Sequence, residues 1–159
     1  MVLFNAPFYN LHAAVGPSSA TMRSDVFLVQ YFIFFICIGS SKTWPGGFGP
    51  FGPTAPSDVN GSEGLFPFSG QFTPALGKWI RNFQTVANRR GFGPLTVDGA
   101  VHPAKVHWGH PPAGATGWFT IQALNHIMFM KNKDAFVSLA NVDDVPAPVK
   151  EDIRRLMTN

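Results

Sequence analysis

The chain carries one cysteine, Cys37, in 159 residues, which excludes an intramolecular disulfide framework. Charge is scarce too. Charged residues make up 13% and hydrophobic ones 45%, against a usual charged share of ~25%, and that balance argues against intrinsic disorder. A membrane-length apolar run is missing: the greasiest stretch, VFLVQYFIFFICI from Val26 to Ile38, has 13 residues, whereas a bilayer core needs about 20. No basic segment leads into that run and no small-x-small cleavage pattern follows it, so neither a transmembrane span nor a secretory leader is expected there. A buried helix is the better reading of it. Acids are sparse through the middle of the chain, where Asp98 is the sole carboxylate from 71 to 133. The paired acids that glycoside hydrolysis needs are therefore not found there. The glycine-rich GGFGPFG lacks the Lys-Ser/Thr of a phosphate loop, and neither H-E-x-x-H nor H-x-x-E-H occurs. Cys37 lies within the apolar run, where a thiol behaves as a small buried hydrophobe. An enzyme is not expected.

What is abundant is phenylalanine, glycine and proline, at 16, 16 and 14 residues. The length is that of one ordinary domain, able to bury roughly two thirds of its unfolded surface. Net charge is +3, unevenly placed. Residues 1–70 hold Arg23 and Lys42 against Asp25, Asp58 and Glu63. Residues 71–133 hold Lys78, Arg81, Arg89, Arg90, Lys105, Lys131 and Lys133 against Asp98 alone, and the remainder is acidic. The cationic middle suits an anionic partner such as cell-wall polymer, nucleic acid or an acidic protein surface. Nucleic acid is the weaker of these, because the aromatics between Lys78 and Phe92 fall on a core stripe and base stacking needs them exposed.

Along the chain, Ser24 and Asp25 are placed to cap a helix running to about Ile38. From Trp44 to Pro74, 7 glycines and 6 prolines in 31 residues interleave with Phe48, Phe51, Phe66, Phe68 and Phe72. No helix survives that density of breakers, so a long loop is expected, its phenylalanines pinned to the domain or to a partner. Thr73-Pro74 opens the next helix as N-cap and first residue, and Leu76, Trp79, Ile80, Phe83 and Ala87 recur at steps of three and four. Asp98-Gly99 predicts a turn. A third helix is expected from about Gly117 to Met130, capped by Thr116, with Trp118, Ile121, Leu124, Ile127 and Met128 inward. A short helix around 134–140 and an amphipathic one after Pro148 complete the reading.

An ordered set of motifs carries a resemblance. AAVG followed by Asp25-Val26-x-x-Val29-Gln30, then Phe68-Ser-Gly-Gln-Phe72-Thr-Pro74 leading into Trp79-Ile-Arg-Asn-Phe83-Gln84, then Leu95-Thr-Val-Asp98-Gly99-x-Val101-x-Pro103 and Thr120-Ile-Gln-Ala-Leu124-Asn125 together resemble the peptidoglycan-binding-domain-like (PGBD-like) modules. Two motif positions differ: Ser69 stands where the pattern has Asp, and His102 where it has Gly. The resemblance implies an all-α, three-helix PGBD-like bundle over residues 1–130, with loop insertions at 44–74 and 101–116. A C-terminal helical extension, 131–159, is expected to pack on it.

The activity implied is non-catalytic attachment to peptidoglycan or another anionic polymer, at the cell wall. Cell-wall glycan offers sugar C–H faces and stem-peptide carboxylates, and arginine bonds both oxygens of a carboxylate. Arg81, Asn82, Asn88, Arg89 and Arg90 are the candidate ligand-binding residues. The alternative is a structural or adaptor subunit of a larger assembly, a phage virion or injection particle, that uses the fold for protein contacts through the Phe-rich loop. His102, His107 and His110 form H-x4-H-x2-H, a pattern that can supply zinc with Asp98 or water as fourth ligand. No general-base carboxylate accompanies it, so no cofactor is expected.

Overall fold

The computed structural model describes residues 7–17, 20–45, 55–105 and 119–157. Among these residues there are five α-helices: α1 Arg23–Cys37, α2 Pro74–Arg89, α3 Thr120–Lys131, α4 Lys133–Val137 and α5 Ala147–Met157, with a 3-10 turn at Leu139–Asn141 before α5. They contain no strand, only an isolated antiparallel bridge between Val15 and Val101. The all-α expectation holds.

Helix α1 is the hub. It is apolar around its circumference, so no single stripe can satisfy it and it must be covered on every side. Twelve of its 15 residues are buried, and α2, α3 and α5 each pack against it. Fifteen residues at helical rise reach about 22 Å, short of the ~30 Å of a bilayer's hydrocarbon core. No helix among the described residues is long and apolar enough to cross a membrane. Cys37, at the end of α1, is fully buried, and that burial pushes its thiol up to about 12.

The helix starts differ from expectation in two places. Ser24 lies inside the first turn of α1; Met22 is the N-cap, and no side chain caps the amides there. Asp25 turns instead to the N-terminal segment, where its carboxylate accepts N–H bonds from His12 (3.1 Å) and Ala13 (2.9 Å). A buried carboxylate needs donors, and the backbone of a neighbouring segment supplies them. Helix α3 starts at Thr120 rather than near 117, with Phe119 as N-cap. The N–H of Phe119 donates to Gln122 Oε1 at 2.9 Å, half of a capping box. Thr116 and Trp118 fall outside the described residues. For α2 the expected start is found: Thr73 Oγ1 accepts the Leu76 N–H at 3.2 Å and Pro74 is the first helical residue.

The N-terminal segment ties distant elements together. Asn125 on α3 accepts the N–H of Tyr9 at 2.9 Å and donates to its carbonyl at 3.1 Å. Asn10 makes the same two-way bond with Ala104. His12 Nε2 lies 2.6 Å from Asp152 Oδ2 on α5. Tyr31 on α1 accepts from Trp44 Nε1 and donates to Asp144 Oδ1, both at 2.6 Å. Burial, with Asp144 adding to it, raises the Tyr31 phenol well above its ordinary range, so it is a neutral donor in that chain. Of the five loop phenylalanines, Phe68 and Phe72 pack on the core and Phe66 stays 48% exposed. Phe48 and Phe51 lie outside the described residues.

Val29, Trp79, Phe83, Ile121 and Leu124 are all fully buried in one apolar cluster. Phe83→Ala is expected to cost about 3–5 kcal/mol and Trp79→Ala a similar amount; a thermal midpoint unmoved by either contradicts their place in the core. Asp25 supplies a pH test. Burial, the largest effect on it, raises its pKa above the ordinary value despite the His12 and Ala13 amides. The native state therefore holds this proton more tightly than the unfolded chain, and the Asp25 contribution falls as pH rises from about 4 through its folded pKa. Asp25→Asn should gain on the wild type in urea midpoint as pH is raised from about 4 to 6; parallel curves would refute this.

Candidate functional site

Two buried glutamines organise the surface that follows. Gln30 on α1 accepts N–H bonds at Oε1 from Ser69 (3.1 Å) and Gly70 (3.0 Å), while its Nε2 donates to Gly64 O (3.0 Å) and Ser69 Oγ (3.1 Å). Gln84 on α2 repeats the device one helix later. Its Oε1 accepts from Asp98 and Gly99, each at 3.1 Å, and its Nε2 donates to Asp98 Oδ1, Ala100 O and Thr120 Oγ1 at 2.9–3.1 Å.

Ser69 and Asp98 correspond further, since each side-chain oxygen accepts the N–H two residues on, from Gln71 and Ala100. Gly70 and Gly99 follow with φ of 70° and 73°, the left-handed region that glycine enters without a Cβ clash. Each turn is held by a glutamine on the preceding helix. The first leads straight into Thr73 and α2; the second is joined to α3 through Thr120.

An open recess of about 710 Å³ lies over the first turn, between Arg23, Gly70 and Phe72, and a groove runs along α2. One lobe, of about 660 Å³, runs between Phe66-Pro67, Glu63, Gln71 and the start of α2. A second lobe, of about 450 Å³, lies over Arg81, Asn82 and Thr85. Both are bounded by Asp58 and Lys78, whose ion pair of 2.8 Å stands between them. The Lys78 hydrogen bond holds the Asp58 carboxyl below its ordinary range. Charge differs along the groove: the first lobe has Asp58 and Glu63 against Lys78, the second Lys78 and Arg81 against Asp58. Trp79 underlies the groove wall, donating from Nε1 to Glu63 O at 2.9 Å. A smaller apolar recess of about 120 Å³ lies elsewhere, between Phe8, Leu28, Val149 and Ile153, at the seam where the N-terminal segment meets α1 and α5.

Of the residues singled out in the sequence, Arg81 and Asn82 line the second lobe. Asn88 is taken up by the turn after α2, donating to Leu95 O (3.0 Å) and accepting from Leu95 N (2.6 Å). Arg89 ends α2 and Arg90 is its C-cap; both are exposed and outside the groove lining. His102 is exposed with Nε2 3.4 Å from Asp98 Oδ2, and His107 and His110 fall outside the described residues. Among the described residues no group of three His, Cys, Asp or Glu side chains is placed to hold a metal.

Four contributors, Lys78, Asp58, Gln30 and Gln84, are not among the candidate site residues. Lys78 and Asp58 are ordinary surface charges until a loop folds over α2. Gln30 and Gln84 stand in the motifs that carry the resemblance without an assigned role; lying within apolar stripes, where a carboxamide needs partners, is the signal that points to one.

Comparison with protein-family models, with curated proteins and with solved structures gives no match to this chain.

Replacing either glutamine leaves two turn amides and their neighbours without a partner. Gln84→Ala and Gln30→Ala should each cost about 3 kcal/mol, well beyond an ordinary surface substitution. Urea unfolding measures this, and a loss under about 0.5 kcal/mol would remove the turns from the core's hydrogen-bond network.

Proposed function

We propose that the protein is a non-catalytic binding module of the PGBD-like kind, holding peptidoglycan or a related anionic polymer in the groove along α2. The observation that carries this reading is the double glutamine-held turn. The motif segments that resemble the family converge on Gln30 with Ser69-Gly70 and on Gln84 with Asp98-Gly99; the first turn leads into α2 and lines the groove through Ser69 and Gln71. The groove chemistry agrees. Binding at its second lobe needs only a carboxylate on the ligand, because Arg81 offers a planar fork and Lys78 a point charge, with the Asn82 amide beside them. Its neighbour Asp58 competes for Lys78, so polymer binding exchanges one carboxylate partner for another. No nucleophile or general base enters the proposal, and the binding is noncovalent.

The test is co-sedimentation with purified sacculi. Lys78→Ala combined with Arg81→Ala should lower the retained fraction about tenfold, the equivalent of one charge-assisted hydrogen bond, with the thermal midpoint unchanged. Asp58→Asn should raise retention by freeing Lys78, most clearly at low salt. Equal retention by all three proteins refutes the groove. A chain that ignores sacculi and self-associates in sedimentation velocity is instead the assembly subunit that uses this fold for protein contacts.

A further inference from the structure

The first lobe holds an aromatic ring that the fold neither buries nor leaves loose. Phe66 is 48% exposed, yet it is clamped. Its ring stacks on Phe34 of α1 at 5.0 Å between centroids with 20° between planes, and Phe68 meets it edge-on at 5.2 Å and 90°. Its backbone is fixed as well: its N–H donates to Ser62 O and its carbonyl accepts from Ser62 Oγ, both at 3.0 Å. One face lies against Phe34 and one edge against Phe68, the rest is open to solvent, and Phe66 lines the lobe.

Around that ring the lobe mixes the two kinds of surface, with Val59, Pro67, Pro74 and Ala75 on its apolar side. Asp58, Glu63, Ser69, Gln71, Thr73 and Lys78 line it as well, so two carboxylates, an amide, two hydroxyls and an ammonium share one lobe with an aromatic ring. The other large hydrophobics exposed among the described residues are Met22, Val97, Met130 and Val137, none of which lines this groove. A protein-docking surface gathers its apolar residues into a broad patch with a polar rim. Here a single ring is the large exposed hydrophobic of the lobe, with small apolar residues and hydrogen-bonding groups beside it. That is the complement of a sugar, whose axial C–H bonds present a weakly positive face to the ring's negative one and whose hydroxyls are donors that carboxylates accept. A ring held rigid before binding loses little freedom on binding.

We infer that Phe66 is the stacking platform for one uncharged ring of a glycan strand, with Glu63, Asp58 and Gln71 bonding its hydroxyls, and that the module grips the wall polymer by its sugar backbone rather than by its peptides alone. This rests on the wall-binding reading above and assigns the two lobes different work. The Phe66 lobe takes a neutral sugar; the Lys78–Arg81 lobe takes an acidic substituent farther along the same strand.

The experiment uses the full chain and the uncharged tetramer of β-1,4-linked N-acetylglucosamine, titrated calorimetrically, beside the sacculus assay. The tetramer should bind the wild type. Phe66→Ala should weaken it about tenfold or more, as expected for loss of one aromatic contact. Phe66→Leu keeps apolar volume against Phe34 but removes the flat ring; it should weaken binding likewise while the thermal midpoint holds, which separates stacking from folding. Arg89→Ala with Arg90→Ala, exposed cations outside both lobes, should leave tetramer affinity within about twofold, since an uncharged sugar does not draw on remote charge. Sacculus retention that depends on Lys78 and Arg81, with no tetramer binding, overturns the platform and leaves wall binding standing. Loss of both assays in the wild type overturns the two together. Unchanged tetramer affinity in Phe66→Leu, or a Phe66-dependent self-association without sugar binding, overturns the platform as well.

Discussion

A carboxamide buried in an apolar helix packing must find an acceptor for its N–H groups and donors for its oxygen, and the two turns that flank α2 hang from how two of them do so. Gln30 and Gln84 are at most 1% exposed, and each uses its oxygen to draw in two consecutive amide N–H groups of a turn that lies far from it along the chain. Two adjacent amides aimed at one oxygen require a tight turn, and the glycine with positive φ in each makes that turn possible. The glutamine, the turn and the next helix thus form one unit, and the unit occurs twice. An apolar residue in place of either glutamine would fill the space while stranding the turn.

That constraint explains why a chain so rich in glycine and proline still presents a defined groove. The segment from 55 to 73 has no helix of its own among the described residues. It is held at Gly64, Ser69 and Gly70 by Gln30, at Glu63 O by Trp79, and at Phe66 by Phe34. A loop fixed at so many points keeps Asp58 over Lys78 and one aromatic face open to solvent, and the conformational cost of ordering it is met in folding rather than on binding. The asymmetry of the groove, more acidic at one lobe and cationic at the other, then follows from which side of Lys78 each loop residue falls.

Helix α1 provides the other half of the frame. It cannot be amphipathic with so few polar positions, so the chain wraps it: α2 and α3 each rest on it, α5 closes a further side, and the N-terminal segment is laced across by Asp25, Asn125 and the His12–Asp152 pair. Only two polar side chains on α1, Asp25 and Gln30, are buried beside its Tyr31 phenol. Each of the three is used to anchor a different remote segment.

The residue order by itself decided the helices. The stripe Leu76, Trp79, Ile80, Phe83 reads directly as one buried face because helical spacing alone aligns it, and the Thr73-Pro74 start needs no tertiary partner. The apolar run from Val26 was legible as a helix for the same local reason. Its true first residue was not, because Asp25, which reads as a helix-end complement, is claimed by His12 and Ala13 from outside the helix. Asp98-Gly99 was legible as a turn, whereas the hold that Gln84 has on it was not, since that depends on two segments meeting. The site divides in the same way. Arg81 and Asn82 stand out on the polar side of a helix wherever that helix packs, but Asn88 beside them is taken by Leu95, and Lys78 gains its role only when Asp58 is folded over it. Local spacing fixes which face of a helix turns inward; which charges become neighbours, and which aromatic ring is left open, is set by contacts between separate segments of the chain, and those exist only once the chain has closed around α1.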